Sequence, residues 1–489
     1  MQLYKSNDRN KWMPFCLGAV TLVISAATGC APMKEVQPAA TPALPQHFAA
    51  PADSTSIADR TYKELLSDPN LQQLLDSALR RNWDVLAALQ RVEQANANYL
   101  QTRGALRPRV QGVAAAGVDK FGDYTMNGVG NYDLNKSPNI SADQKVPAPF
   151  MPDFFVGVRS SWEIDIWGRL RNLKEAALLR VLQSQRGVQW LRTQLVAEVS
   201  GRYYELLALD SQREILRKNI QLQQEALQVV EAQKEGGRAT ELAVQQFKAQ
   251  LLRTQALDAG VKQQVVAIEN EINLLCGRTP QSILRGNSLM VQQVPASLKA
   301  GLPSAMLLRR PDIQQAELEL RALEADLLAA RKAFLPALTL TPYIGFNAFT
   351  AARLLDPTSL AAGALAGLSA PIFNRAAIKG DYNRVAAART EALLQYQKTA
   401  TTAFTEVVTS ISEISNLEQQ FTIKQQETQV LESAVGTAKD LYLSGYATYL
   451  EVITAQRNVV EAELELATTK RNQFLAVVNL YRALGGGWN

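Results

Sequence analysis

The chain has 489 residues, with 51 Lys and Arg against 46 Asp and Glu, three cysteines and one histidine, for a formal net charge of +5. The charges are interspersed, which excludes the concentrated basic footprint of a nucleic-acid-binding protein. The single His47 excludes a Ser-His-Asp set, a Cys-His pair and a His-based metal site, and the scattered Met33, Met126, Met151, Met290 and Met306 exclude a copper-handling cluster. No carboxylate pair is marked for catalysis either. The expectation is a protein that is not an enzyme and carries no metal or cofactor.

Residues 1–29 read as a secretory signal peptide: Lys5, Arg9 and Lys11 precede an apolar run, and small residues close it before Cys30. Ala27-Thr28-Gly29-Cys30 resembles a bacterial lipoprotein cleavage site, in which the Cys is diacylated and becomes the new N-terminus. Ala27 stands where that pattern prefers Leu, and an ordinary signal beside an incidental Cys is the alternative. Ala31 resembles the residue after the Cys in lipoproteins sent to the outer membrane. Cys16 leaves with the signal and an acylated Cys30 leaves Cys276 alone, so no disulfide framework is expected. His47 lies in a Pro-rich leader, residues 30–66.

Beyond the leader the sequence repeats itself. Residues 84–108 recur as 312–336 at one constant offset, with Asp84/Asp312, Ala88/Ala316, Ala97/Ala325, Leu100/Leu328, Arg103/Arg331, Ala105/Ala333 and Pro108/Pro336 coinciding. Repeats govern any reading of the fold. The helical spacing predicts one long helix over 71–103, stopped by Arg107-Pro108, and a copy stopped by Pro336. After each Pro the period falls to two. Val156, Val158, Trp162 and Ile164 alternate with Gly157, Arg159, Ser161, Glu163 and Asp165, and Leu338, Leu340, Ile344 and Phe346 alternate with Thr339, Thr341, Tyr343 and Asn347. With segments near 110–118 and 361–372 these predict two β-hairpins, joined by a long polar loop over 119–153 and a short one over 349–360.

One apolar and one polar face suit strands between lipid and a wet lumen, although a half-buried sheet in a soluble protein gives the same period. No run beyond the signal reaches about 18 apolar residues, so no spanning helix is expected. With an export signal, this points to an outer-membrane barrel. Four strands cannot close one, and an open edge is not tolerated in lipid, so copies must pool their strands.

Each repeat ends in a helical hairpin. Residues 169–235 contain no Pro and two Gly, Gly187 and Gly201, and predict a helix on the order of 100 Å long. Its apolar residues recur by sevens at Val181, Val188, Leu195, Leu209, Leu216 and Val230, with Val199, Leu206, Ile220 and Leu227 as a second stripe, which predicts left-handed supercoiling. Gly236-Gly237 turns the chain and 240–276 returns. In the second copy 376–443 runs out, Gly445 turns and 448–484 returns. A second echo aligns Ile166-Trp167-Gly168-Arg169 with Ile372-Phe373-Asn374-Arg375, and Gly237-Arg238-Ala239-Thr240 with Gly445-Tyr446-Ala447-Thr448. The organisation is thus 1–29 signal, 30–66 leader and equatorial segment, 67–276 first repeat, 277–303 linker and 304–489 second repeat.

Four stretches, LPSAMLLRRPDIQQAE, WEIDIWGRLR, YLSGYATYLEVITAQ and NLYRALGGGW, resemble the TolC-like outer membrane factors over essentially the whole mature chain. The likeness is to the lipoprotein branch that serves multidrug efflux. It implies a mainly α fold with a β part: a trimer whose twelve pooled strands form an outer-membrane barrel continuous with a periplasmic coiled-coil tunnel. It implies a passive exit duct for drugs, detergents or other toxic small molecules. The partners implied are a periplasmic adaptor (membrane fusion) protein and an inner-membrane pump of resistance-nodulation-division, major facilitator or ABC type.

By the same resemblance the adaptor meets Gly236, Gly237, Arg238, Ala239 and Thr240 in one tip and Leu441, Ser444, Gly445, Tyr446, Ala447 and Thr448 in the other. Tyr442, Glu451 and Thr454 fall at the periplasmic aperture, Glu451 as a lumen-facing acid and Thr454 where relatives often carry another. A duct for type I secretion and a pore-free, surface-anchored coiled-coil protein are the alternatives.

Overall fold

The structure is a computed structural model that describes residues 56–295, 300–301, 303–371 and 375–488. The signal, Cys30, His47 and the echo at Ile372-Phe373-Asn374 lie outside the described residues. The helices are α1 Tyr62–Leu65, α2 Pro69–Arg81, α3 Trp83–Gly104, α4 Met126–Lys136, α5 Arg169–Glu235, α6 Glu241–Leu275, α7 Pro303–Arg309, α8 Pro311–Lys332, α9 Arg375–Leu443 and α10 Tyr449–Ala483. The strands are β1 Arg109–Asp119, β2 Met151–Ile164, β3 Ala337–Ala348 and β4 Leu360–Ser369.

The single helix expected over 71–103 is two. Asn82 breaks it with φ −58° and ψ 129°, and its side-chain oxygen accepts from Asp84 N at 2.9 Å and Val85 N at 3.1 Å to start α3. Its Nδ2 donates to Leu275 O at 3.0 Å, so a helix distant in sequence fixes the break. Asn competes well for the cap position, and here tertiary packing selects that use over helical continuity.

The long helices form where the pattern places them. In α5, 67 residues long, Val181, Val188, Leu195, Leu209, Leu216 and Val230 are all buried. Of the second stripe, Val199 and Leu206 are fully buried and Ile220 and Leu227 half-buried. The helix packs along α6, α8 and α10, and α9 packs along α8 and α10. Among the described residues no helix is long and apolar enough to cross a membrane.

The strands form one antiparallel sheet in the order β1-β2-β3-β4. The register sets Val158 beside Ile344 and Trp162 beside Leu340, so the apolar residues of neighbouring strands share a face. Arg159 pairs with Tyr343 and Glu163 with Thr339 on the other. Val158 and Ile344 are nonetheless 43% and 55% exposed and the other apolar residues of that face only half-buried, so the face is incompletely covered in the single chain. Gly157 and Gly345 face each other where β2 and β3 join the two hairpins; a Cβ on Gly157 would stand 2.5 Å from the Gly345 Cα. Among the described residues β1 pairs only with β2 and β4 only with β3, leaving both outer edges open. The long loop before β2 carries α4, which the Gly- and Asn-rich sequence had not signalled.

The main core sits at the waist, where α2, the middle of α5, the end of α6, the start of α8 and the end of α10 converge. Leu71, Leu75, Tyr203, Leu206, Ile272 and Leu480 are essentially inaccessible there. Arg310 is 2% exposed beside them. Its Nη2 meets Asp312 Oδ2 at 2.7 Å, and its Nη1 meets Glu406 Oε2 and the Ala483 carbonyl, each at 2.8 Å. A buried guanidinium is tolerated only with such a full set of acceptors.

Candidate functional site at the hairpin tips

Both hairpins turn on a glycine that the backbone requires. In the first, α5 ends at Glu235, Gly237 adopts φ 70°, and Gly237 N and Arg238 N close on Lys234 O at 2.9 Å and Gln233 O at 2.8 Å. Thr240 then starts α6 by accepting from Ala243 N at 3.2 Å. In the second, Gly445 adopts φ 78°, and Gly445 N and Tyr446 N close on Tyr442 O at 3.1 Å and Leu441 O at 2.9 Å. These left-handed turns satisfy the last carbonyls of a helix. Ser444, Gly445 and Thr448 are exposed, as are Gly236, Gly237, Arg238 and Thr240, whereas Ala239 and Ala447 are half-buried. Leu441 is 42% and Tyr446 85% exposed, an apolar side chain and an aromatic ring offered to solvent at one tip.

Glu451 is exposed and engaged, through one carboxylate oxygen, in a local task. Its carboxylate accepts from Thr448 N at 2.8 Å and from the Thr448 hydroxyl, and Thr448 caps α10 in return. The Thr448 hydroxyl, followed by backbone amides, holds the Glu451 carboxyl below the usual range. The motif is a capping box, readable from Thr448-Tyr449-Leu450-Glu451. Thr454 lies within the next turn and is half-buried. At the other tip Lys234 pairs with Glu241 across the turn.

Tyr442 does not stand free at an aperture within one chain. It packs against a small cluster of Val230, Ala243, Phe247 and Val452 and donates its hydroxyl to Gln233 Oε1 at 2.7 Å. That bond joins the end of α9 to the end of α5, and therefore one hairpin to the other. Gln233 and Phe247 had no sequence signal, because their role exists only once the two hairpins meet. Among the described residues no group of His, Cys, Asp and Glu could hold a metal ion.

Long helical hairpins, an antiparallel sheet with an incompletely covered apolar face and glycine-turned tips define a channel-type architecture. The family model for outer membrane efflux proteins matches residues 74–278 and again 302–486, and the chain belongs to that family of TolC-like channels. Its role is that of an outer membrane efflux duct. It is 30% identical to the pyoverdine export outer membrane protein OpmQ of Pseudomonas putida over 88% of this chain and 89% of that one. It is 27% identical to the cation efflux system protein CusC of Escherichia coli over 98% and 99%. A solved structure of CusC superposes with a TM-score of 0.77 over 94% of this chain and 100% of that one, at 25% identity. The probable outer membrane lipoprotein SilC of Salmonella typhimurium is 26% identical over 95% and 97%.

Proposed function

We propose that three copies of the chain pool their sheets into a twelve-strand outer-membrane barrel, continued through the periplasm by a tunnel of their paired hairpins. The single observation that carries this is the sheet: four strands with an incompletely covered apolar face and two open edges, which neither lipid nor water accommodates. A pore-free coiled-coil protein has no use for it. The two separate matches to one family model support a duplicated chain divided near 67–276 and 304–489, so that the tunnel is built of six near-equivalent units.

In this reading the tips point inward and meet a periplasmic adaptor through Gly236 to Thr240 and through Leu441 and Ser444 to Thr448. The inner-membrane pump supplies the energy, and the duct is passive. Three Glu451 carboxylates would ring the aperture and favour cations, while Tyr442 governs how far the two tips of each chain part. Cys30 carries the lipid anchor, in keeping with the name given to SilC. Pyoverdine export and cation efflux in two relatives of similar closeness indicate that cargo is chosen elsewhere in the pump. Drugs, detergents and other toxic small molecules fit a wide wet duct.

Native mass spectrometry and planar-bilayer recording on the detergent-extracted protein test the proposal. A trimer with stepwise conductance is expected. A monomer without conductance would overturn it.

A further inference from the structure

Behind the Tyr442–Gln233 bond, between the two hairpins, lies a cavity of about 500 Å³. That volume is in the range of small-molecule sites. Its floor is apolar, with Val230 of α5, Phe247 of α6, Val435 of α9 and Val452 and Val459 of α10. Two of the amide side chains in its wall carry buried atoms short of partners. Gln223 is 2% exposed, yet neither its Oε1 nor its Nε2 has a hydrogen-bond partner. The Oε1 of Gln456 is buried and unpartnered as well. Packed interiors rarely leave such atoms unsatisfied, because each costs the desolvation of the group with nothing in return.

The one carboxylate set into the wall is also under-compensated. Glu463 accepts from Asn219 Nδ2 at 2.9 Å, but the nearest cation, Lys218 Nζ, is 3.7 Å away with a side chain 63% exposed. Burial accordingly pushes the Glu463 carboxyl above its usual range. The remaining charges, Glu225, Glu432 and Lys439, are on exposed residues at the rim. What the interior lacks is therefore chiefly hydrogen-bond donors and positive charge, beside a surface that favours hydrocarbon.

We propose that this cavity is a binding site for an organic ammonium ion with an apolar body. Its N–H donors meet Gln223 Oε1, Gln456 Oε1 and the Glu463 carboxylate, and its hydrocarbon lies against Phe247 and the valines. Because the walls come from both hairpins, an occupant holds together the arrangement in which Tyr442 reaches Gln233. A ligand that binds one arrangement stabilises it by mass action. The site is a property of this chain's packing and stands whether or not the assembled protein conducts.

The test uses the full-length protein in amphipol with rhodamine 6G, an organic cation with an apolar ring system, followed by fluorescence polarisation and by thermal unfolding. Expected are saturable binding at one probe per chain and a rise in melting temperature. Glu463→Gln removes the charge at nearly constant shape and should weaken binding about tenfold, the usual loss for a charge-assisted hydrogen bond. Gln223→Leu should do the same and abolish the thermal shift. Gln456→Leu is the second reading of the same wall, should either variant fail to fold by circular dichroism. The anionic probe 1-anilinonaphthalene-8-sulfonate should bind at least tenfold more weakly than rhodamine 6G. Binding that never saturates, that is equal for the two probes, or that is unchanged in the folded variants would show a cavity occupied by water alone and overturn the proposal.

Discussion

The waist and the tips of the same helices are held in different ways. At the waist Tyr203 donates to Asp68 Oδ2 at 2.8 Å and accepts from Gly286 N at 2.9 Å, Tyr204 stacks on Phe474 at 4.5 Å, and Arg310 gathers two carboxylates and a carbonyl. At the tips the buried set shrinks to Val230, Ala243, Phe247 and Val452, and the bond between hairpins is Tyr442 to Gln233. Free energy of local opening follows the number of buried contacts that must be given up. The waist therefore fixes the helices, whereas the tips are held by few buried contacts and open at lower cost.

Three changes probe that contrast. Replacing Arg310 with Ala takes its cation from Asp312, leaves Glu406 with Arg482 at 3.5 Å, and should destabilise the chain by about 3 kcal/mol, read as a lowered urea midpoint. A loss under about 1 kcal/mol would mean that the waist owes little to this residue. Tyr442→Phe removes only the hydroxyl and should cost about 1 kcal/mol. Its effect should be local: faster amide exchange in residues 227–239 and 441–453 with the urea midpoint of the waist unchanged. Equal change at both places would make the molecule one cooperative unit.

The smallest effect is set by acid. The folded-state pKa of Glu451 lies below the usual glutamate range, so its cap contributes stability above that range and loses it as pH falls through the folded pKa. Glu241, lowered first by its bond with Lys234, follows the same sign at the other tip. Both tips should therefore fray below about pH 4.5. Glu451→Gln should remove the acid sensitivity of the second tip only. Amide exchange at residues 448–452 and 240–244 across that pH range distinguishes the two.

What could be read from the sequence tracks how local its cause is. The bounds of α5 were legible because Pro is absent, Gly flanks its far end and heptads run its length, all properties of the segment itself. The alternation in β2 and β3 was legible for the same reason. Asn82 was missed because an Asn within a periodic run is compatible with helix, and only the Leu275 carbonyl, far along the chain, decides otherwise. The helix α4 rests on a weak Thr125 cap in a segment poor in helix formers. Glu451 was legible as a carboxylate beside a Gly turn, yet its first bond is to Thr448, a local pairing that the spacing encodes. Gln233, Gln223 and Gln456 carry no local mark at all, since their surroundings are assembled from both hairpins.

The open edges of β1 and β4 also set a clock. A newly made copy exposes two ribbons of amide and carbonyl groups beside a greasy face, and any extended peptide it meets can add to them. Where copies pool their sheets as proposed above, assembly competes with such additions and depends steeply on local concentration. Yield, more than final stability, is where this molecule is vulnerable.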